Sequence, residues 1–327
     1  MRNVWLLGLV LVLPLPLPLP RPAHAETAFQ LQKPIACTIG QDCVIQQYPD
    51  HDPGPGAKDY RCGPETYDGH DGTDFRIPDK VAQGRGVSVV AAAPGIVKAV
   101  RDGQFDFDVG AYDQARVKGV ECGNGVLVDH GNGWQTQYCH MRQGSVRVNA
   151  GERVAAGQAL GLVGQSGGAA FPHLHLTVRH DGKWVDPFAD GSTCGQGASL
   201  WTAADQAELT YRDGNILNAG FAGAPVTMDD IERGGVAAPT RSSTAVIAYV
   251  RALHLHQGDI QRLIVKGSDG QILADSVSPA LDHDKAQVFV FAGKKRSAEW
   301  SGVYTATYTV TRAGRTVMTR TFSLRLA

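Results

Sequence analysis

No Cys-x-x-Cys pair occurs anywhere in this 327-residue chain, and no cysteine follows Cys194. The first absence removes the usual spacing of a cysteine-based metal site. No sign of charge is in excess either: 31 basic and 32 acidic side chains leave a net charge of -1. Without a basic stripe to meet phosphates, nucleic acid is not an expected partner, and plain electrostatic adhesion to an anionic wall or membrane is disfavoured. Long apolar helical periodicity is missing from the central region, and no fixed-period repeat is present, which excludes helical bundles and solenoids there.

The chain opens on Arg2, an apolar run WLLGLVLVL and a small-residue site Ala23-His24-Ala25, the anatomy of an export signal over residues 1–25. The following PLPLPLP cannot continue a spanning helix, so no membrane anchor is expected once the signal is cleaved, and no cysteine follows Ala25 as a lipoprotein would require. A periplasmic or extracellular location follows. In such a compartment the six cysteines, Cys37, Cys43, Cys62, Cys122, Cys139 and Cys194, are expected to form disulfides. Cys37 and Cys43 could close a small loop; the remaining pairing is open.

Residues 26–64 are rich in Cys, Pro and Gly and read as an irregular approach. From there to residue 195, short runs rich in Val, Ile and Thr alternate with DG, GNG and SGG, the pattern of strands and tight turns. Residues 196–242 read as a linker with at most one early strand. Residues 243–327 carry strand-rich runs with turns every 8 to 12 residues or so, which predicts a C-terminal β-sandwich of Ig-like type. The expected fold class is therefore all-β, a small antiparallel sheet domain followed by a sandwich.

Chemistry concentrates in three places. In a strand, residues two apart share a face, so His173 and His175 of FPHLHLTVRH point into one cavity. YDGHDGTDF adds His70 and Asp74 with Gly72 between them, and QTQYCHM adds His140. Two imidazoles and a carboxylate form a hydrolytic zinc set with a position left for water. Tyr138, two residues before His140, is expected on the same side of its strand, as a core residue or as groove lining. A second His-x-His, His254 and His256, lacks any such partner and is expected to be structural. His51, His130, His180 and His283 lie beside Gly or Asp in turn-like contexts and are expected at the surface.

HDGTD, YCHM and PHLHLTV, in that order, resemble the signature motifs of the lysostaphin/LytM-type zinc endopeptidases, and connectors such as AAAPGIVKAV and DGKWVDPF are similar too. The likeness spans about residues 65–190. It implies one Zn2+ per chain on His70, Asp74 and His175, with His140 and His173 as catalytic histidines outside the ligand set. It also implies a metal-activated water that hydrolyses peptide bonds of bacterial peptidoglycan. Degenerate relatives bind the wall or activate a separate amidase instead; such proteins usually lack ligands, whereas all five positions are filled here. The segment from Arg85 to Cys122 is longer than a simple hairpin and departs from the family's pattern, as do the cysteines. The sandwich holds none of the motif residues, so it is expected to be dispensable for bond cleavage. No protein partner for it is legible.

Overall fold

The structure, a computed structural model, describes Met1 and residues 28–108, 114–191, 193–296 and 299–326. Apart from Met1, the expected export signal lies outside these residues. Among them the chain is nearly all β, as expected. The first part contributes β1 (Val44–Gln47), β2 (Thr73–Arg76), β3 (Ser88–Val90), β4 (Gly95–Arg101), β5 (Asn124–Gly131), β6 (Trp134–Met141), β7 (Arg153–Val154), β8 (Ala159–Leu162), β9 (His173–His180) and β10 (Lys183–Val185). Short helices α1 (Lys80–Arg85) and α2 (Gln114–Val117) interrupt the series, and α2 belongs to the long segment noted before Cys122. The main sheet runs β1-β2-β9-β6-β5-β4-β7, with β10 on β9 and a separate β3-β8 pair.

Turn chemistry explains why the strands pair as they do. Asn132-Gly133 joins β5 to β6 and Asp181-Gly182 joins β9 to β10, and all four residues have positive φ. Two consecutive left-handed residues make the hairpin turn whose twist matches the strands it joins, and Asn, Asp and Gly enter that region most readily.

The core of this part is wider than the strands between residues 65 and 195. Leu31, Ile35 and Tyr48 from the approach pack with Phe75 and Leu174, and Leu200, Trp201 and Leu209 close the other side. The approach is thus built into the sheet through β1, and the segment expected to be a linker is only partly one. It holds α3 (Ala203–Glu208), β11 (Asn215–Ala222) and α4 (Met228–Arg233). Disulfides join Cys37 to Cys43, Cys62 to Cys194 and Cys122 to Cys139. The small loop is among them, and the second bridge ties the approach to the end of the peptidase-like region.

Six more strands follow: β12 (Ala245–Leu255), β13 (Ile260–Lys266), β14 (Ile272–Val277), β15 (Lys285–Lys295), β16 (Gly302–Arg312) and β17 (Arg315–Leu326). They form a β11-β12-β15 sheet and a β14-β13-β16-β17 sheet. Both sheets contribute to one core, Val250 and Ala252 on one side meeting Leu263, Ala306, Tyr308 and Val310 on the other. Along β16, Tyr304, Ala306, Tyr308 and Val310 are buried while the intervening residues are half-exposed, the alternation of a strand with one inner face.

The two parts meet in a contact that is both apolar and charged. Val44, Leu217 and Leu253 form one buried cluster. Beside it, Glu232 of α4 accepts from Arg76 and Arg251, all three buried. His254 lies 3.2 Å from the buried carboxylate of Glu65, and His256 pairs with Asp213 at the surface. Among the described residues, neither histidine belongs to a group of three side chains placed to hold a metal.

One turn departs from its ideal residue. Ala313-Gly314 joins β16 to β17, and Ala313 has φ of +48° where a side chain costs about 1 kcal/mol. Ala313→Gly is expected to raise stability by about that amount, read as a higher urea midpoint at unchanged slope. A lower midpoint would contradict this account of the turn.

Candidate metal centre and cleft

β9 lies between β2 and β6, and this register assembles the site. Asp74 of β2 and Cys139 of β6 are both paired with His175. Side chains directly opposite one another stand on the same face, so one rung brings the Asp74 carboxylate against the His175 ring. His70 arrives from the loop before β2. Its position is set by the approach: the Asp50 amide donates to His70 O at 2.8 Å, and Asp50 Oδ2 accepts the Gly69 amide at 3.0 Å.

The three motif groups converge. His70 Nε2 lies 3.3 Å from Asp74 Oδ1 and 3.2 Å from His175 Nδ1, and His175 Nδ1 lies 2.9 Å from Asp74 Oδ1. Donors held at roughly 2.0–2.1 Å around a tetrahedral zinc ion stand about 3.3 Å apart, so this triangle fits the ion. The outer atoms fix which nitrogen faces inward. His70 Nδ1 donates to the carbonyl of Tyr48 at 2.8 Å, leaving the Nε2 lone pair free. His175 Nε2 is engaged outward by Thr177 Oγ1 at 3.0 Å and Asp71 Oδ1 at 3.2 Å, leaving Nδ1. Such outer bonds orient an imidazole ligand and raise its basicity. Among the described residues, a second cluster of donor types, Cys37, Asp42 and Cys43, has its two sulfurs consumed by the disulfide.

His140 and His173 stand beside this triangle with a common arrangement. His140 Nδ1 donates to Ser166 O at 2.8 Å and His173 Nδ1 to Phe171 O at 2.9 Å. Each therefore keeps Nε2 unprotonated in its neutral form. The two rings are 4.6 Å apart, and His173 Nε2 is 3.4 Å from Asp74 Oδ1. Burial, followed by repulsion from His173 and His175, holds the His140 pKa well below its usual value; burial also lowers His173, with Asp74 opposing. At His175 burial pulls downward but Asp71 and Asp74 outweigh it, raising the ring to about 9. Burial would raise Asp74, yet the imidazoles of His173, His70 and His175 keep its carboxyl well below the usual range.

His140 does not share a face with Tyr138. Tyr138 is fully buried, its hydroxyl accepting from Ala92 N at 2.7 Å and from Thr136 at 2.9 Å, which makes it a core residue. The cause is φ of +60° at His140, where β6 leaves its pairing with β9 and the simple alternation breaks. The Cys122–Cys139 bridge and a bond from His140 N to Cys122 O at 2.8 Å hold that irregular end.

Beside the histidines lies a cleft of about 480 Å³, lined by Tyr67, Asp71, Gln137, His140, His175 and Arg179 among others. Asp71 and Arg179 were not singled out from the sequence, although Arg179 shares the face of His175 and Thr177 by strand spacing. His51 overturns the surface expectation: its Nε2 meets Asp186 Oδ2 at 2.9 Å with both side chains fully buried. The dipeptide context gave no hint of that, because Asp186 is 135 residues away. His180 stacks on Trp134 at 4.1 Å, and His283 is exposed beside Asp282. His130 is half-buried, bonded to Pro94 O and Thr136.

Residues 68–187 match the profile of Peptidase family M23. Over 117 residues the chain is 31% identical to the peptidoglycan DD-endopeptidase ShyA of Vibrio cholerae, covering 36% of this chain and 22% of that protein. Over 171 residues it is 30% identical to the DD-carboxypeptidase/endopeptidase Mpg of Neisseria meningitidis, covering 52% and 34%. Over 100 residues it is 36% identical to the murein hydrolase activator EnvC of Escherichia coli, covering 30% and 22%. The chain thus spans between 22% and 34% of the length of these relatives.

Gly72 gives the triangle a test. A Cβ at this position would lie 2.5 Å from His175 Nε2 and 2.7 Å from Leu176 O, so the backbone can pass the ring only as glycine. Gly72→Ala is expected to weaken zinc binding at least about tenfold by displacing a ligand, measured by competition with a chromogenic chelator. Unchanged affinity would show that the close approach is tolerated.

Proposed function

We propose, from the match of residues 68–187 to the profile of Peptidase family M23, that the chain is an exported zinc endopeptidase that hydrolyses peptide bonds in bacterial peptidoglycan. The observation that carries the reading is the donor triangle of His70, Asp74 and His175 beside two further imidazoles, each anchored through Nδ1. In this reading the triangle holds one Zn2+, which when bound supplies Lewis acidity and makes water nucleophilic near neutral pH. Three protein donors leave a coordination position for water and substrate.

The remaining work falls to the chain. His140 and His173, their Nδ1 protons committed to backbone carbonyls, offer Nε2 to take a proton from the attacking water and return it to the leaving amine. Their lowered pKa values keep them neutral and able to accept at neutral pH. Once protonated at Nε2, either one donates to the oxyanion of the tetrahedral intermediate. The cleft running from Tyr67 to Arg179 is assigned to the peptide, with polar groups at Gln137, Asp71 and Arg179 to meet its amides and charged ends.

Three disulfides support an oxidising compartment, periplasmic or extracellular. Among the described residues no helix is long and apolar enough to cross a membrane. The match to an activator leaves one competing role, in which the chain stimulates another hydrolase without cutting. The mature protein is expected to release new fragments from purified peptidoglycan, with free amines at cut peptide bonds by mass spectrometry, and to stop when a chelator is added. Intact peptidoglycan, or cleavage indifferent to chelator, would sink the reading.

A further inference from the structure

The strand partner of His173 across β2 and β9 is Arg76. This guanidinium is buried, and its Cζ lies 4.0 Å from the centre of the Phe171 ring. Phe171 is the residue whose carbonyl accepts the Nδ1 proton of His173, and its ring lies 4.9 Å from that imidazole. A cation over an aromatic face is attracted by the ring quadrupole, most strongly where water is excluded.

What holds the cation in place comes largely from outside the peptidase domain. Arg76 Nη2 donates to Glu232 Oε2 on α4 at 2.7 Å, and Nη1 donates to Gln287 Oε1 on β15 at 2.8 Å; Gln46 of β1 supplies the third acceptor at 2.7 Å. Glu232 at the same time receives Arg251 of β12, which donates onward to Asn218 Oδ1 at 2.8 Å and to Pro78 O at 2.6 Å. One carboxylate thus keeps two buried guanidiniums together. Without its charge they repel, and Arg76 has reason to leave the Phe171 face.

We propose that Glu232, Arg76 and Phe171 are positioning residues for His173, so that the C-terminal part of the chain sets the tautomer and direction of an imidazole beside the cleft. The inference rests on the peptidase reading of that cleft. It also runs against the expectation that the C-terminal sandwich, residues 243–327, is dispensable for cleavage, since Gln287 and Arg251, which hold Arg76 and Glu232, belong to it. Truncation would also bare the Val44, Leu217 and Leu253 contact, so point variants of the full chain are the cleaner test.

Zinc-loaded Glu232→Gln and Phe171→Leu are compared with the unaltered chain on disaccharide-peptide dimers released from purified peptidoglycan. Phe171→Tyr, which keeps the ring, is the conservative control. The two disruptive variants are expected to retain one zinc per chain and to lose about tenfold or more in kcat with KM within about twofold, while Phe171→Tyr keeps kcat. In parallel, nitrogen-15 NMR of the histidine rings is expected to show His173 protonated at Nδ1 in the unaltered chain and to move toward Nε2 in both variants. Phe171→Leu is half-buried and keeps an apolar side chain, so it carries the test if Glu232→Gln fails to fold. A raised KM at unchanged kcat would make Phe171 a substrate contact and overturn the proposal. So would unchanged kcat with an unmoved His173 tautomer. If the unaltered chain cuts nothing, the peptidase reading falls while the tautomer result still decides this one.

Discussion

The pairing of His175 with both Asp74 and Cys139 is the constraint on which the cleft depends. Side chains alternate along a strand, so slipping either neighbour by one residue would turn its functional side chain to the opposite face. The register is held by burial on the other side of the sheet. Phe75 beside Asp74, and Leu174 and Leu176 on either side of His175, are fully buried in the core, so the donors are fixed by the apolar residues with which they alternate. The approach segment adds to this through β1, where Gln47 pairs with Asp74 and the Tyr48 carbonyl orients His70.

A second regularity is that backbone carbonyls choose the imidazole tautomers. Tyr48, Ser166 and Phe171 each accept an Nδ1 proton, from His70, His140 and His173 in turn. A carbonyl fixed in a fold cannot titrate and can only accept, so the inward-facing nitrogen is the same across the pH range in which the imidazole is neutral. His175 is the exception: its outer partners, Thr177 and Asp71, are side chains. The centre therefore combines three rigidly assigned histidines with one whose proton affinity is governed by neighbouring carboxylates.

The strands and their turns were legible because their causes are local. GNG at 131–133 and DG at 181–182 place residues in the left-handed region, and runs of Val, Leu and Thr alternate around them. The donor groups were legible for a similar reason, since imidazole and carboxylate at HDGTD and imidazoles two apart in HLHLTV are chemistry written in short spacing. What stayed hidden was long-range. Nothing near Cys62 names Cys194, and nothing near His51 names Asp186. The placement of Tyr138 in the core, on the face opposite His140, was missed because strand alternation was assumed to hold through a residue with positive φ. Glu232, in a segment that reads as a linker, meets Arg76 only once two separate sheets have packed.

The account makes its central claim at two histidines separated by one leucine. Metal content and cleavage rate of purified His175→Ala and His173→Ala, measured side by side on disulfide-bonded protein, test it most directly. Loss of His175 leaves two donors, too few for a stable hydrolytic zinc site, so metal and activity should vanish together. Loss of His173 leaves the triangle intact, so about one zinc per chain should remain while turnover falls by the order of 10² to 10⁴. A metal-free His173→Ala protein beside a zinc-loaded His175→Ala protein would reverse the assignment and contradict the account.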